Sequence, residues 1–238
     1  MRIDILGVGF DNLTMDEALA RGEELLCAEG AHYAVTPNPE IVEVCRADAA
    51  ARAAVNGADL VLPDGIGVVY GARLLGTPLK ERVPGIEFGA GMLARCAKRG
   101  KSVYLLGAKP GIAERAAERL KEQFPGLAVA GTHDGYFEDG APVAAEIKAS
   151  GADMALVCLG APKQELFMAR YGGATGCRLL MGLGGSMDIF AGAARRAPEF
   201  FCKHDLEWFY RLVKEPSRLG RMTRLPLFLL HAVRGRKK

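Results

Sequence analysis

Met154-Ala155-Leu156-Val157-Cys158-Leu159 runs straight into Gly160-Ala161-Pro162-Lys163-Gln164-Glu165, and that junction sets the fold class. The first half is a continuous apolar block, the pattern of a strand covered on both faces. Glycine and proline then turn the chain, and a helical pattern runs on to Tyr171. Similar blocks recur at 32–36, 59–62, 102–106, 127–130 and 178–183. Helical patterns lie between them at 40–55, 86–99, 111–123 and 142–150. Alternation of this kind predicts a parallel sheet with right-handed crossovers and helices on both faces, an α/β Rossmann-like architecture.

In such a sheet, ligands bind beyond the carboxyl ends of the strands. Polar and glycine-rich segments follow the strand blocks repeatedly: Thr36-Pro37-Asn38-Pro39-Glu40, Pro63-Asp64-Gly65, Gly107-Ala108-Lys109, Gly131 through Gly135-Tyr136-Phe137, Gly160 through Glu165, and Gly182-Leu183-Gly184-Gly185-Ser186. Pro-Asp-Gly is also a common turn sequence. Asp64 nevertheless falls where a strand gives way to a helix, where a carboxylate can serve as general base to an attacking hydroxyl. Thr36 and Asn38 read equally as a helix N-cap pair before Pro39 and as ligands for sugar hydroxyls. Lys163 and the free N–H groups of a helix start favour an anion; the alternative for Lys163 and Glu165 is solvated surface. The Gln164 amide can read a base or a sugar. Gly184 and Gly185 allow close backbone approach, and Asp188 can accept ribose hydroxyls or cap a turn. Arg82, Arg195 and Arg196 are each either surface charge or a diphosphate grip.

Several chemistries are absent from the pattern. Met187 stands where a dinucleotide fingerprint needs glycine, and no P-loop occurs. The four histidines share no metal-ligand spacing, and none of the six cysteines forms a CxxC pair, so neither a metal nor a cofactor is expected. The cysteines read as buried apolar residues of a reducing compartment.

The chain has 238 residues with a net charge of +3, enough for one large domain and too little charge for a polycation that binds nucleic acid. The positive excess is concentrated at the end. After Glu215 no acidic residue occurs, and Arg218, Arg221, Arg224, Arg234 and Arg236 surround Leu225-Pro226-Leu227-Phe228-Leu229-Leu230. An amphipathic helix is expected over 198–214, with Gly220 and Pro226 interrupting the chain beyond it. The expected division is a catalytic domain, 1–195, and a basic α-helical appendage, 196–238, suited to an anionic membrane surface. The N-terminus lacks a signal-peptide stretch, and no apolar run reaches the roughly 20 residues needed to span a bilayer.

Taken in order, these motifs resemble the WecG/TagA/CpsF glycosyltransferase family. The matching pieces include Thr36-Pro37-Asn38-Pro39-Glu40, Pro63-Asp64-Gly65, Glu81-Arg82-Val83-Pro84-Gly85, Pro162-Lys163-Gln164-Glu165, Arg196-Ala197-Pro198 and Glu207-Trp208 through Tyr210-Arg211. The resemblance implies a UDP-sugar donor, typically UDP-N-acetylmannosamine or its uronate, and an undecaprenyl-diphosphate-linked GlcNAc acceptor at the inner face of the cytoplasmic membrane. It implies inverting transfer in teichoic acid or related surface-polysaccharide synthesis. By the same resemblance Asp64 is the base. Thr36, Asn38 and Gln164 contact the donor sugar or the reacting groups, while Arg82, Arg211, Arg218 and Arg221 neutralise diphosphates. Gly107, Tyr136, Gly160, Lys163, Gly184, Gly185, Asp188, Arg196 and Glu207 complete the expected substrate contacts. Homo-oligomerisation is left open. A nicotinamide-dependent oxidoreductase, suggested by the fold alone, and a non-catalytic membrane or nucleic-acid adaptor, suggested by the tail, are the competing readings.

Overall fold

The computed structural model describes residues 1–198, 200–201, 206–214 and 224–235. Its centre is a six-stranded sheet in the order β4-β3-β8-β7-β5-β6, every pair parallel. The strands are β3 (His32–Val35), β4 (Leu60–Val61), β5 (Ser102–Gly107), β6 (Ala128–His133), β7 (Met154–Cys158) and β8 (Leu179–Gly182). Successive side chains point to opposite faces. Val103 and Leu105 therefore enter one core while Tyr104 and Leu106 enter the other. This is the physical reason the blocks read as continuously apolar.

One face is covered by α1 (Met15–Cys27), α5 (Gly85–Arg99), α6 (Ile112–Gln123) and α9 (Ser186–Phe190). The other carries α2 (Pro39–Ala47), α3 (Ala49–Asn56), α4 (Ile66–Leu74), α7 (Gly140–Ser150) and α8 (Lys163–Tyr171). From β3 the chain proceeds to the β4 edge. From β8 it proceeds into α9, which packs on α6 toward the other edge. The two paths diverge at the carboxyl ends of β3 and β8, where a ligand crevice forms in sheets of this type.

The first residues form an antiparallel hairpin, β1 (Arg2–Ile5) and β2 (Val8–Asp11), followed by α1 with a Thr14–Glu17 capping box. Sequence patterning passed over these elements and α9, and gave α4 only as a helix starting after Asp64. The hairpin shields the short β4 edge: Asp11 Oδ2 accepts from Val61 N–H at 2.9 Å, and Arg2 donates to the carbonyls of Asn56 and Ala58.

Two expectations are corrected. The single helix over 40–55 is two, because Asp48 turns extended and its carboxylate caps α3 by accepting from Ala50 and Ala51. Pro226 does not interrupt the tail; it occupies the first turn of α11 (Arg224–Gly235), where its missing N–H costs no intrahelical bond. Of the amphipathic 198–214 segment, α10 (Glu207–Lys214) is described as a helix, and its Tyr210 ring meets the Phe201 ring at 5.2 Å. Residues 202–205 and Gly220 lie outside the described residues.

α11 packs across α2 and α4. The receiving surface on α4 is made by glycines: a Cβ at Gly71 would come within 2.6 Å of the Phe228 ring, and one at Gly67 within 2.7 Å of Leu225. Phe228 is fully buried in the same core as Val35 and Val61. The buried Glu43 carboxylate of α2 receives His231 at 3.0 Å and Arg46 at 3.2 Å. Leu227, Leu230 and Val233 stay exposed on the outer side. Among the described residues no helix is long and apolar enough to cross a membrane.

Candidate active site

Three loops are laced together where β3 and β4 end. Asp64 N–H donates to the Pro37 carbonyl at 3.1 Å, and Val83 N–H donates to the Pro63 carbonyl at 2.9 Å. Gly85, the first residue of α5, donates its N–H to Asp64 Oδ2 at 3.3 Å. The Asp64 carboxylate thus faces the positive end of a helix of 15 residues. The next residue, Gly65, sits at φ +90°, a conformation that a residue with a Cβ adopts only under strain. Asp64 is half-buried at the rim, and Arg82, two residues before Pro84, is half-buried as well.

Thr36 and Asn38 separate in role. Asn38 is the N-cap of α2, its Oδ1 accepting from Ile41 N–H at 3.0 Å, which leaves its amide NH2 for a ligand. Thr36 does not cap the helix. It is buried, and its hydroxyl donates across the sheet to the Gly182 carbonyl at 3.2 Å. A Cβ on Gly85 would come within 2.7 Å of Thr36 Oγ1, so glycine is what lets α5 start this close.

The β7–α8 junction forms the opposite wall. Gly160 has φ +75°, the Ala161–Pro162 bond is cis, and α8 begins at Lys163. Gln164 is 2 % exposed. Its Oε1 accepts from Gly184 N–H at 2.9 Å, and its Nε2 donates to Glu165 Oε1 at 2.8 Å. The Gly184 and Gly185 backbone faces open space, with no atom within 4 Å of a Cβ built at either. Asp188 is half-buried in the first turn of α9, and its carbonyl accepts from Ala193 and Ala194.

Lys163 Nζ donates to the Gly135 carbonyl at 2.8 Å and lies 4.2 Å from the centre of the Phe137 ring. It therefore pins the 135–137 loop while remaining exposed at the rim. Tyr136 on that loop is 70 % exposed. Gly107 carries φ +128°, and a Cβ there would come within 2.3 Å of the Cys158 carbonyl, so it is the close contact between β5 and β7. Arg196 pairs with Glu87 on the first turn of α5, tying the segment before the tail to the helix that faces Asp64.

Thr36, Asn38, Asp64, Gly160, Gln164, Gly184 and Gly185 are thus brought to one rim, with Lys163 and Tyr136 beside them. The side chains of Glu207 and Arg211 are not described, and Arg218 and Arg221 lie outside the described residues. Sequence reasoning missed a buried neighbour of Gln164. Glu165 is not solvated surface; it is 1 % exposed, burial pushes its carboxyl above the usual range, and its Oε2 has no hydrogen-bond partner among the described residues. Its place in the Pro-Lys-Gln-Glu motif was the only signal. Among the described residues no group of three or more His, Cys, Asp and Glu is placed to hold a metal ion.

The chain matches the profile of the glycosyl transferase WecG/TagA/CpsF family over residues 3–238. It is 40 % identical over 197 residues to the N-acetylglucosaminyldiphosphoundecaprenol N-acetyl-beta-D-mannosaminyltransferase of Bacillus spizizenii, covering 83 % of this chain and 77 % of that one. It is 34 % identical over 240 residues to the protein of the same name from Staphylococcus aureus strain MW2, covering 100 % and 94 %. A match running nearly end to end makes this chain a glycosyltransferase and a member of the WecG/TagA/CpsF family.

Proposed function

We propose that the enzyme transfers N-acetylmannosamine from its UDP derivative to undecaprenyl-diphosphate-linked GlcNAc, forming a β-1,4 bond with inversion, in teichoic acid or related surface-polysaccharide synthesis. The observation that carries the reading is the Asp64 carboxylate held at the rim by Gly85 N–H, next to Asn38. Asp64 takes the proton of the acceptor hydroxyl as that oxygen bonds to the anomeric carbon. The bond from that carbon to the diphosphate breaks in the same step, and UDP leaves with the electron pair. The Asn38 NH2 and the Gln164 amide bind sugar oxygens. The N–H of the exposed Gly185, with Arg82 and the tail arginines Arg211, Arg218 and Arg221, receives the departing charge. Tyr136 offers a flat face to the uracil, and Asp188 accepts from ribose hydroxyls.

The acceptor is a lipid, so the enzyme works as a peripheral protein on the inner face of the cytoplasmic membrane. Residues 196–238 act as the part that meets lipid. The exposed Leu227, Leu230 and Val233 side chains, on a segment without acidic residues after Glu215, support this.

The deciding experiment incubates the protein with a panel of UDP-sugars and a lipid-diphosphate-GlcNAc analogue and weighs the products. One added N-acetylhexosamine with equimolar UDP release, from UDP-N-acetylmannosamine alone, is expected. Transfer of the uronate in its place changes the donor, and no transfer from any UDP-sugar overturns the reading.

A further inference from the structure

Gln164 and Glu165 lie side by side at the start of α8, 2 % and 1 % exposed. The amide of Gln164 has one orientation that satisfies both neighbours. Turned over, its NH2 would oppose Gly184 N–H, and its oxygen would oppose Glu165 Oε1, which is an acceptor when the acid's proton sits on Oε2. The charge state of Glu165 is set by its surroundings. Burial is the largest influence on it, and among the described residues Oε2 has no hydrogen-bond partner. The nearby titratable group on α2 is the Cys45 thiol, which its surroundings, burial first, push up to about 12. Asp48 and Arg52 act on that thiol with opposite sign. An isolated carboxylate in such a place is far costlier than the protonated acid.

We propose that Glu165 is a positioning residue: a buried neutral acid that fixes the Gln164 amide, so that Gln164 meets the substrate through its second N–H, as a donor to a sugar or phosphate oxygen. The inference rests on the glycosyl-transfer reading of this rim. Its physical consequence does not. Glu165 keeps its proton in the fold at pH values where the unfolded chain has lost it. Stability is therefore full below the unfolded value and falls as pH rises through the folded one.

The test compares Glu165→Gln with Glu165→Ala in the full chain. Glutamine still offers an oxygen to Gln164 Nε2 and carries no charge. It is expected to hold kcat within about twofold and to unfold with a flatter pH dependence than the parent, the gap widening as pH rises. Alanine frees the Gln164 amide, and kcat is expected to drop about 10- to 100-fold, the scale of a misplaced contact near the reacting atoms. In infrared difference spectra of parent minus Glu165→Gln, a protonated-carboxyl band at neutral pH is expected. Wild-type kcat in Glu165→Ala overturns the positioning role. Equal loss in both variants, or a carboxylate band at neutral pH, overturns the neutral acid. If Glu165→Ala does not fold, the spectrum and the Glu165→Gln unfolding series still decide. Failure of the parent itself to release UDP from any UDP-sugar refutes the transferase reading and leaves those two measurements standing.

Discussion

The rim and the docked α11 lie against the same two helices, α2 and α4, yet they are built on opposite terms. At the rim, hydrogen bonds and half-buried polar groups hold the geometry: Asp64 on Gly85, Asn38 on Ile41, Thr36 on Gly182. At the dock, Phe228 and Leu225 fill notches left by Gly71 and Gly67. Each rim hydrogen bond adds only about 1 kcal/mol net to stability, since water competes for the same groups. A fully buried aromatic ring is worth several times that. Substitutions should therefore split the molecule in two, removing rate at the rim and stability at the dock.

Asp64→Asn is the largest expected effect. Asparagine retains an oxygen for Gly85 N–H but cannot take a proton, so transfer should slow about 10²- to 10⁴-fold, the usual contribution of a general base. The melting temperature should stay put, and calorimetry should still register UDP-sugar binding. A variant with parental rate, or one that melts early, would erase the division. Phe228→Ala is the converse. The emptied notch should cost about 3–5 kcal/mol in urea unfolding, while transfer to a short, soluble acceptor stays within a few-fold wherever the protein remains folded. Loss of rate without loss of stability would mean that α11 contributes to chemistry rather than to packing.

The same contrast explains what could be read in advance. Sheet strands announce themselves because both faces are covered, and the rim lies where those strands stop. The dock left weaker traces. Gly67 and Gly71, four apart on α4, are its footprint, but small residues mark a helix contact only once the partner is known. Pro226 looked like a breaker because its harmlessness depends on lying in a first turn, a boundary that tertiary packing sets. The β1–β2 hairpin escaped notice because its strands alternate buried with exposed or partly exposed residues and lack the continuous apolar blocks that mark the central sheet. Glu165 escaped because a carboxyl on the first turn of a helix is ordinarily solvated, and only the packing of α8 against α3 and the sheet buries it.

Asn38 belongs to both halves and can be used to separate them. Its oxygen caps α2, the helix on which α11 rests, while its NH2 is left for substrate. Asn38→Asp keeps the capping oxygen and discards the amide donor, so unfolding should be unaltered while transfer weakens. Asn38→Ala discards both, and should add about 1 kcal/mol of lost stability to a similar loss of rate. Equal stability losses in the two variants would show that the cap does not depend on that oxygen.

The smallest effect on folding is expected on the outer side of α11. Leu227, Leu230 and Val233 are 42 %, 45 % and 47 % exposed, so a polar side chain there gives up little buried area. Leu230→Ser should leave urea unfolding within about 0.5 kcal/mol of the parent, as surface changes usually do. Against anionic vesicles the comparison reverses. Each methylene withdrawn from the lipid boundary costs about 0.8 kcal/mol, so removing most of a leucine should weaken co-sedimentation by about tenfold or more. Raising salt should weaken it further in parent and variant alike, because the basic residues of the tail remain. A variant as destabilised as Phe228→Ala would place this face inside the protein. Unchanged vesicle binding would take the lipid contact away from α11, and leave the dock as packing alone.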